Sequence, residues 1–278
     1  MFTDSAPVWP SPPAELCLAR TARRTFDDPA WLRPEHQDAL EAFVEDLVRP
    51  YGLAPGGDLA DGHSYGDMAA ELIGHTVRPD EPVDLLVLAF AIPDLRPGRA
   101  TATYLSHLCP GGPQAFAICD QGNAAAFTGL RVAREYLRTE ACARALVLVV
   151  EQSMLPHPTP ATALVPQRHA AVGLLCERTG PTRLRDLTQH PNLDAGQAAG
   201  ALLRATEAAG EGISVVLGSG LADVADAVTQ PRLCVAPPGQ PLTGAWWALA
   251  GQVGHEVLVA DYDPLLGYLS LATFTAVS

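Results

Sequence analysis

Short apolar runs alternate along this chain with longer stretches of helical period. PVDLLVLAFAI, ending at Ile92, is almost continuously apolar, the mark of a strand buried on both faces of a sheet. AFAI (115–118), RALVLVVEQ (144–152), AAVGLLCER (170–178), ISVVLGSG (213–220), RLCVAP (232–237), EVLVADY (256–262) and GYLSLATFTAV (267–277) read as further strands. Between them lie helical segments. PEHQDALEAFVEDLVRPYG puts Leu40, Phe43, Leu47 and Val48 on one face and stops at Pro50. SYGDMAAELIGHTV is opened by Ser64, and helices are also predicted over 100–108, about 122–138, 194–209, 221–228 and 243–253.

Strand–helix alternation with buried strands predicts an α/β fold with mostly parallel sheets. The second half roughly repeats the order of the first, so two similar halves are expected. The first thirty residues are rich in Pro and Ala and have no clear period. They predict an irregular arm which, with the first helix, fills residues 1–60. The Pro-rich MLPHPTPATALVPQRH (154–169) breaks the rhythm and places a boundary between halves at 61–153 and 154–278.

Composition is ordinary for a globular protein, with 48% hydrophobic and 18% charged residues. A net charge of −13 argues against nucleic acid or an anionic membrane as the main partner. No apolar run reaches membrane-spanning length, and the N-terminus lacks a basic-then-apolar leader, so a cytoplasmic protein is expected. The six cysteines are scattered without a CxxC pair or a His/Cys cluster, which predicts no metal site.

AFAICDQGNAAAFTGLRVA (115–133) carries the chemical question. It reads as a short buried strand, a sharp polar turn and a helix, a layout that presents a nucleophile in many enzymes. Cys119, Asp120, Gln121 and Asn123 occupy the turn, and only the cysteine is a good nucleophile. No Gly-rich phosphate loop, Ser-His-Asp order or basic aromatic patch accompanies it.

Over roughly residues 64–278 the chain resembles the β-ketoacyl synthases, condensing enzymes of the thiolase superfamily. DLLVLAFAIPDLRPG, the 115–133 elbow, ALVLVVEQS, VVLGSGLADVADAV, QPLTGAWWALAG (240–251) and LVADYDPLLGYLSL follow the order of that family's segments. The resemblance implies a five-layered α-β-α-β-α sandwich of two similar halves, and a dimer paired through RALVLVVEQ. It also implies how the catalytic set fares. The family's nucleophilic cysteine falls on Asn123, and its first histidine on Leu217, or on Gly218 with asparagine at Leu221. Its lysine falls on Gln240 and its second histidine on Ala245.

A register shifted by four would instead make Cys119 the nucleophile. His157 and His169 are the histidines from which a base could be recruited. Asp120, Gln121, Trp246 and Trp247 are expected at the substrate tunnel or a subunit interface. The resemblance thus implies a non-catalytic partner of an active ketosynthase, of the kind seen in chain-length factors and the silent subunits of alkylquinolone-type heterodimers. Its surroundings would be an acyl carrier protein and either that ketosynthase or a second copy of itself, with no cofactor. The alternative is a free-standing transferase or hydrolase of acyl thioesters, on carrier protein or CoA, that uses Cys119.

Overall fold

The computed structural model describes residues 15–28, 34–55, 62–96, 98–155, 164–210 and 212–277. Its strands are β1 (Cys17–Thr25), β2 (Leu85–Ala89), β3 (Gln114–Ile118), β4 (Arg144–Glu151), β5 (Ala170–Glu177), β6 (Thr182–His190), β7 (Ser214–Leu217), β8 (Leu233–Val235), β9 (Val257–Asp263) and β10 (Tyr268–Ala276). They hydrogen-bond in the order β3-β2-β4-β5-β1-β6-β10-β9-β7-β8. One motif is written twice in that order: β1–β5 give 3-2-4-5-1, and β6–β10 repeat it. Cys17 with Arg183 and Leu18 with Thr182 join the units edge to edge, continued by a bond from Leu184 N to Leu16 O at 2.8 Å. In each unit four strands run one way and the last, β5 or β10, runs against its neighbours.

The helices are α1 (Pro34–Val48), α2 (Tyr65–Thr76), α3 (Thr101–Leu108), α4 (Ala125–Arg138), α5 (Ala195–Ala209) and α6 (Gly244–Ala250). Strand parity assigns them to layers. On β4, Leu146, Leu148 and Val150 pack with α2 and α3, while Ala145, Val147 and Val149 pack with α4 and α6. On β9, Val257 and Val259 face that same inner helical layer, whereas Leu258, Ala260 and Tyr262 face α5. The result is a five-layered α-β-α-β-α sandwich with α4 and α6 at its centre. Trp246 on α6 is fully buried and meets Phe127 on α4 edge to face, with ring centroids 4.6 Å apart.

Local signals fix several boundaries. Ser64 caps α2 by accepting from Asp67 N, and Asp194 with Gln197 forms a complete capping box on α5. On α1 the buried face is Leu40, Val44 and Val48 rather than the expected stripe through Phe43, which is 38% exposed.

Four expectations are corrected. Cys17–Thr25 is not part of an irregular arm; it is β1, zipped along β5 and touching β6. β5 belongs with the first unit, so the topology turns over between β5 and β6 rather than at 154. β3 is not a buried strand but the edge of the sheet, with Gln114 and Ala117 exposed. β4, in RALVLVVEQ, has β2 on one side and β5 on the other, so both of its edges are taken and no partner strand can add there.

Candidate functional site

The 115–133 segment leaves β3 through two left-handed residues, Asp120 (φ 59°) and Gly122 (φ 48°), and enters a single 3-10 turn, Gly122–Ala124, ahead of α4. Aspartate tolerates this conformation and glycine adopts it freely. The reversal swings Asn123 inward, where it is buried against the second sheet. Its backbone N–H donates to Asp263 Oδ2 at 3.1 Å, while Asp263 Oδ1 accepts from Leu265 N and Leu266 N, both at 3.0 Å. One carboxylate at the end of β9 therefore organises both the elbow and the β9–β10 hairpin.

Asp261, two residues earlier, points to the same inner face and is 2% exposed. Tyr262 N donates to its Oδ1 at 2.8 Å. Burial, and then the charge of Asp263, push its pKa well above the usual carboxylate range. The Asn123 amide faces Asp261 closely enough to favour the anion, although Nδ2 completes no hydrogen bond of ordinary geometry. A polar row continues across the sheet, with Ser270 opposite Asp261 and Gln189 opposite Ser270. Gln189 Nε2 reaches Ser270 Oγ, Thr128 Oγ1 and Ala124 O at 3.3–3.4 Å, and Thr128 Oγ1 donates to Gln121 Oε1 at 2.6 Å. Gln121 thus braces the start of α4 from inside.

The duplicated half builds a matching joint at α6. Glu151, at the end of β4, accepts from Leu242 N at 2.9 Å, from Thr243 N at 3.2 Å and from the Thr243 hydroxyl. Gln240 Nε2 donates to Thr243 Oγ1 at 3.2 Å. Glu151 is 2% exposed, and burial raises its pKa to about 7 against the opposing pull of these three donors.

No family model and no curated protein matches the sequence. Solved structures match it along nearly its whole length. ChlB3, an acyltransferase, shares 19% identity at TM-score 0.63 over 95% of this chain and 98% of its own. The 3-oxoacyl-(acyl carrier protein) synthase III of Pseudomonas aeruginosa PAO1 shares 15% at TM-score 0.64, over 95% and 99%. A variant of OleA from Xanthomonas campestris shares 11% at TM-score 0.64, over 94% and 98%. The fold is that of the thiolase-like condensing enzymes.

On this condensing-enzyme fold, the residues singled out from the sequence fall into separate places. Leu217 and Leu221 turn outward into the α5 core, away from the elbow. Gly218 stands against Asp261: a Cβ built on it would lie 2.0 Å from Asp261 Cγ, so no side chain at 218 fits beside that carboxyl. Gln240 belongs to the Glu151 joint, and Ala245 is packed in the inner layer. Trp246 is core, whereas Trp247 is half-buried with the Arg23 guanidinium 5.0 Å from its ring centre.

Cys119 is exposed on the outer side of β3 and lines a cavity of about 340 Å³ shared with Phe43, Phe90, Asp94 and Arg99. Its thiol donates to Asp120 Oδ2 at 3.3 Å; burial first, then that hydrogen bond and charge, raise its pKa. A thiol held protonated is a poor nucleophile. His169 sits just before β5, bonded to Ser153 and 4.9 Å from the His63 ring, and burial lowers its pKa. His157 lies outside the described residues. Among the described residues no group of three His, Cys, Asp or Glu is placed to hold a metal, and no helix is long and apolar enough to cross a membrane.

The sequence reading missed Asp261, Asp263 and Glu151, which organise both joints. The available signal was an acidic residue on the inner face of an otherwise apolar strand, Val257-Val259-Asp261-Asp263 in one case and Ala145-Val147-Val149-Glu151 in the other.

Proposed function

We propose that this chain is a ketosynthase-like subunit without catalytic power of its own, acting beside an active ketosynthase in polyketide or fatty-acid-like biosynthesis and shaping that partner's acyl tunnel. The observation that carries the reading is the state of the elbow. By the resemblance, the family's thiol position falls on Asn123, an amide whose backbone N–H is committed to Asp263. A free N–H at a helix start is the group that would receive the negative oxygen of an acyl intermediate. By the same resemblance, the positions of the side chains that remove protons or hold an enolate fall on Gly218, Gln240 and Ala245. Gly218 has no room for one, Gln240 is spent on Thr243, and Ala245 is packing.

The solved structures of this fold support an acyl setting. They include an acyltransferase, a 3-oxoacyl-(acyl carrier protein) synthase and an OleA variant bound to lauric acid and lauroyl-CoA. By the same reading the chain works in the cytoplasm, meets an acyl carrier protein, pairs with a ketosynthase or with itself, and needs no cofactor. The exposure of Cys119 on a cavity favours a second reading, a free-standing acyl-thioester transferase or hydrolase. The raised thiol pKa weighs against it.

Intact mass after incubation with acyl-CoA and acyl-carrier thioesters separates the two. No adduct is expected on the native chain or on Cys119→Ala, and co-expression with a ketosynthase is expected to yield a soluble, active complex. An adduct lost in Cys119→Ala would overturn the silent-subunit reading.

A further inference from the structure

We propose that Asp261 and Asp263 are the groups that close the elbow to acyl chemistry, so that β9 occupies the site from within. The inference rests on the silent-subunit reading and supplies a cause for it: the site is filled as well as stripped. Space is the first argument. The Asp261 carboxyl fills the volume that any side chain at 218 would need, with Cγ 2.0 Å from a Cβ built there. Asp263 does the same at the elbow, its Oδ2 lying 1.8 Å from a Cβ built on Gly122. Donors are the second argument, since the Asn123 N–H is bound to Asp263.

Charge completes the case. In acyl transfer a thiolate sulfur attacks the thioester carbonyl carbon, forming a new C–S bond. The carrier's C–S bond breaks, and the carrier thiol leaves with a proton equivalent to the one the attacking thiol gave up. In between, the carbonyl oxygen carries negative charge and needs a hydrogen-bond donor. Here it would meet a carboxylate on the donor it requires, and a second carboxyl beside Gly218. Restoring a thiol at 123 is therefore insufficient while β9 keeps its acids.

The test introduces Asn123→Cys into the full chain carrying Cys119→Ala, in two backgrounds: native β9, and Asp261→Ser with Asp263→Ala. Each protein is incubated with acetyl-CoA and decanoyl-CoA, and adducts are located by peptide mass. With native β9 no adduct is expected at 123; with both carboxylates removed, acylation there is expected to rise on the order of 100-fold, the effect of freeing one oxyanion donor. Equal acylation in the two backgrounds, or none in either folded protein, overturns the proposal.

A stability cycle covers the case in which the opened variant does not fold. Gly218→Ala should lower the urea midpoint of the native chain and lose most of that effect beside Asp261→Ser; additive effects overturn the proposal. The labelled residue distinguishes the two failures. Cys119 acylated in the native chain sinks the silent-subunit reading, whereas position 123 acylated beside native β9 sinks this one.

Discussion

At one end of the inner helical layer, Asp263 reaches from β9 to the elbow ahead of α4; at the other, Glu151 reaches from β4 to Leu242 and Thr243 ahead of α6. Each half thus ends a central strand in an acid that holds the start of the other half's inner helix. The joints differ in how completely they are satisfied. Around Glu151 three donors converge on one carboxyl, and Gln240 in turn bonds Thr243. Around the elbow there are two carboxyls, an Asn123 Nδ2 and a Gln189 Oε1 without partners, and glycines at 122 and 218 that make room. A closed, fully bonded joint is what architecture requires. The elbow instead leaves buried polar atoms unpartnered beside two carboxyls that press on its glycines.

The strongest way to break this comparison is to remove what couples the joints. Trp246→Ala deletes the buried ring that packs on Phe127 between α4 and α6, and should destabilise the protein by about 3–5 kcal/mol in urea unfolding. A loss below about 1 kcal/mol would mean that the two helices do not depend on one another.

Next in size is Glu151→Ala, which leaves the N–H groups of Leu242 and Thr243 buried without an acceptor. It should cost on the order of 2–3 kcal/mol. Asp263→Ala frees one buried N–H, that of Asn123, and two part-buried ones at the hairpin, and should cost less in the same measurement. The reverse order would show that the elbow is the structural joint.

The finest test is pH. The folded pKa of Glu151 is raised from 4.5 to about 7, so its contribution is fully present below about pH 4.5 and is lost as pH rises through 7. The raised pKa of Asp261 acts in the same sense. Urea midpoints should therefore fall between pH 5 and pH 8. Glu151→Gln should flatten part of that slope and leave the share of Asp261; an unchanged slope would remove Glu151 as its source.

Much of the fold was legible because its inner strands are continuous apolar runs and its helices carry caps such as Ser64 and Asp194. The two strands overlooked, β1 and β6, are counterparts in the two halves, and each carries a bulge. Ala19 in β1 and Arg185 in β6 have no opposite partner, so the inward leucines of β6, Leu184 and Leu187, stand three apart instead of two. The bulge erases the alternation by which a strand is recognised. At the site, the polar turn was visible in the letters, but the acids that pack against it were not. Asp261 and Asp263 lie about 140 residues from Asn123, and their effect depends on crossing between halves.

The position of β3 has a further consequence, for self-association. Among the described residues β3 pairs only with β2, leaving one row of backbone N–H and C=O groups facing outward. Such an edge is a template on which another strand can grow, and unguarded edges lead to aggregation. This one is five residues long, preceded by Pro113, which has no N–H to offer, and ended by the left-handed turn at Asp120. A strand added here can extend the sheet by only a few hydrogen bonds before the template runs out, so long fibrous pairing is disfavoured while a short, bounded one stays open.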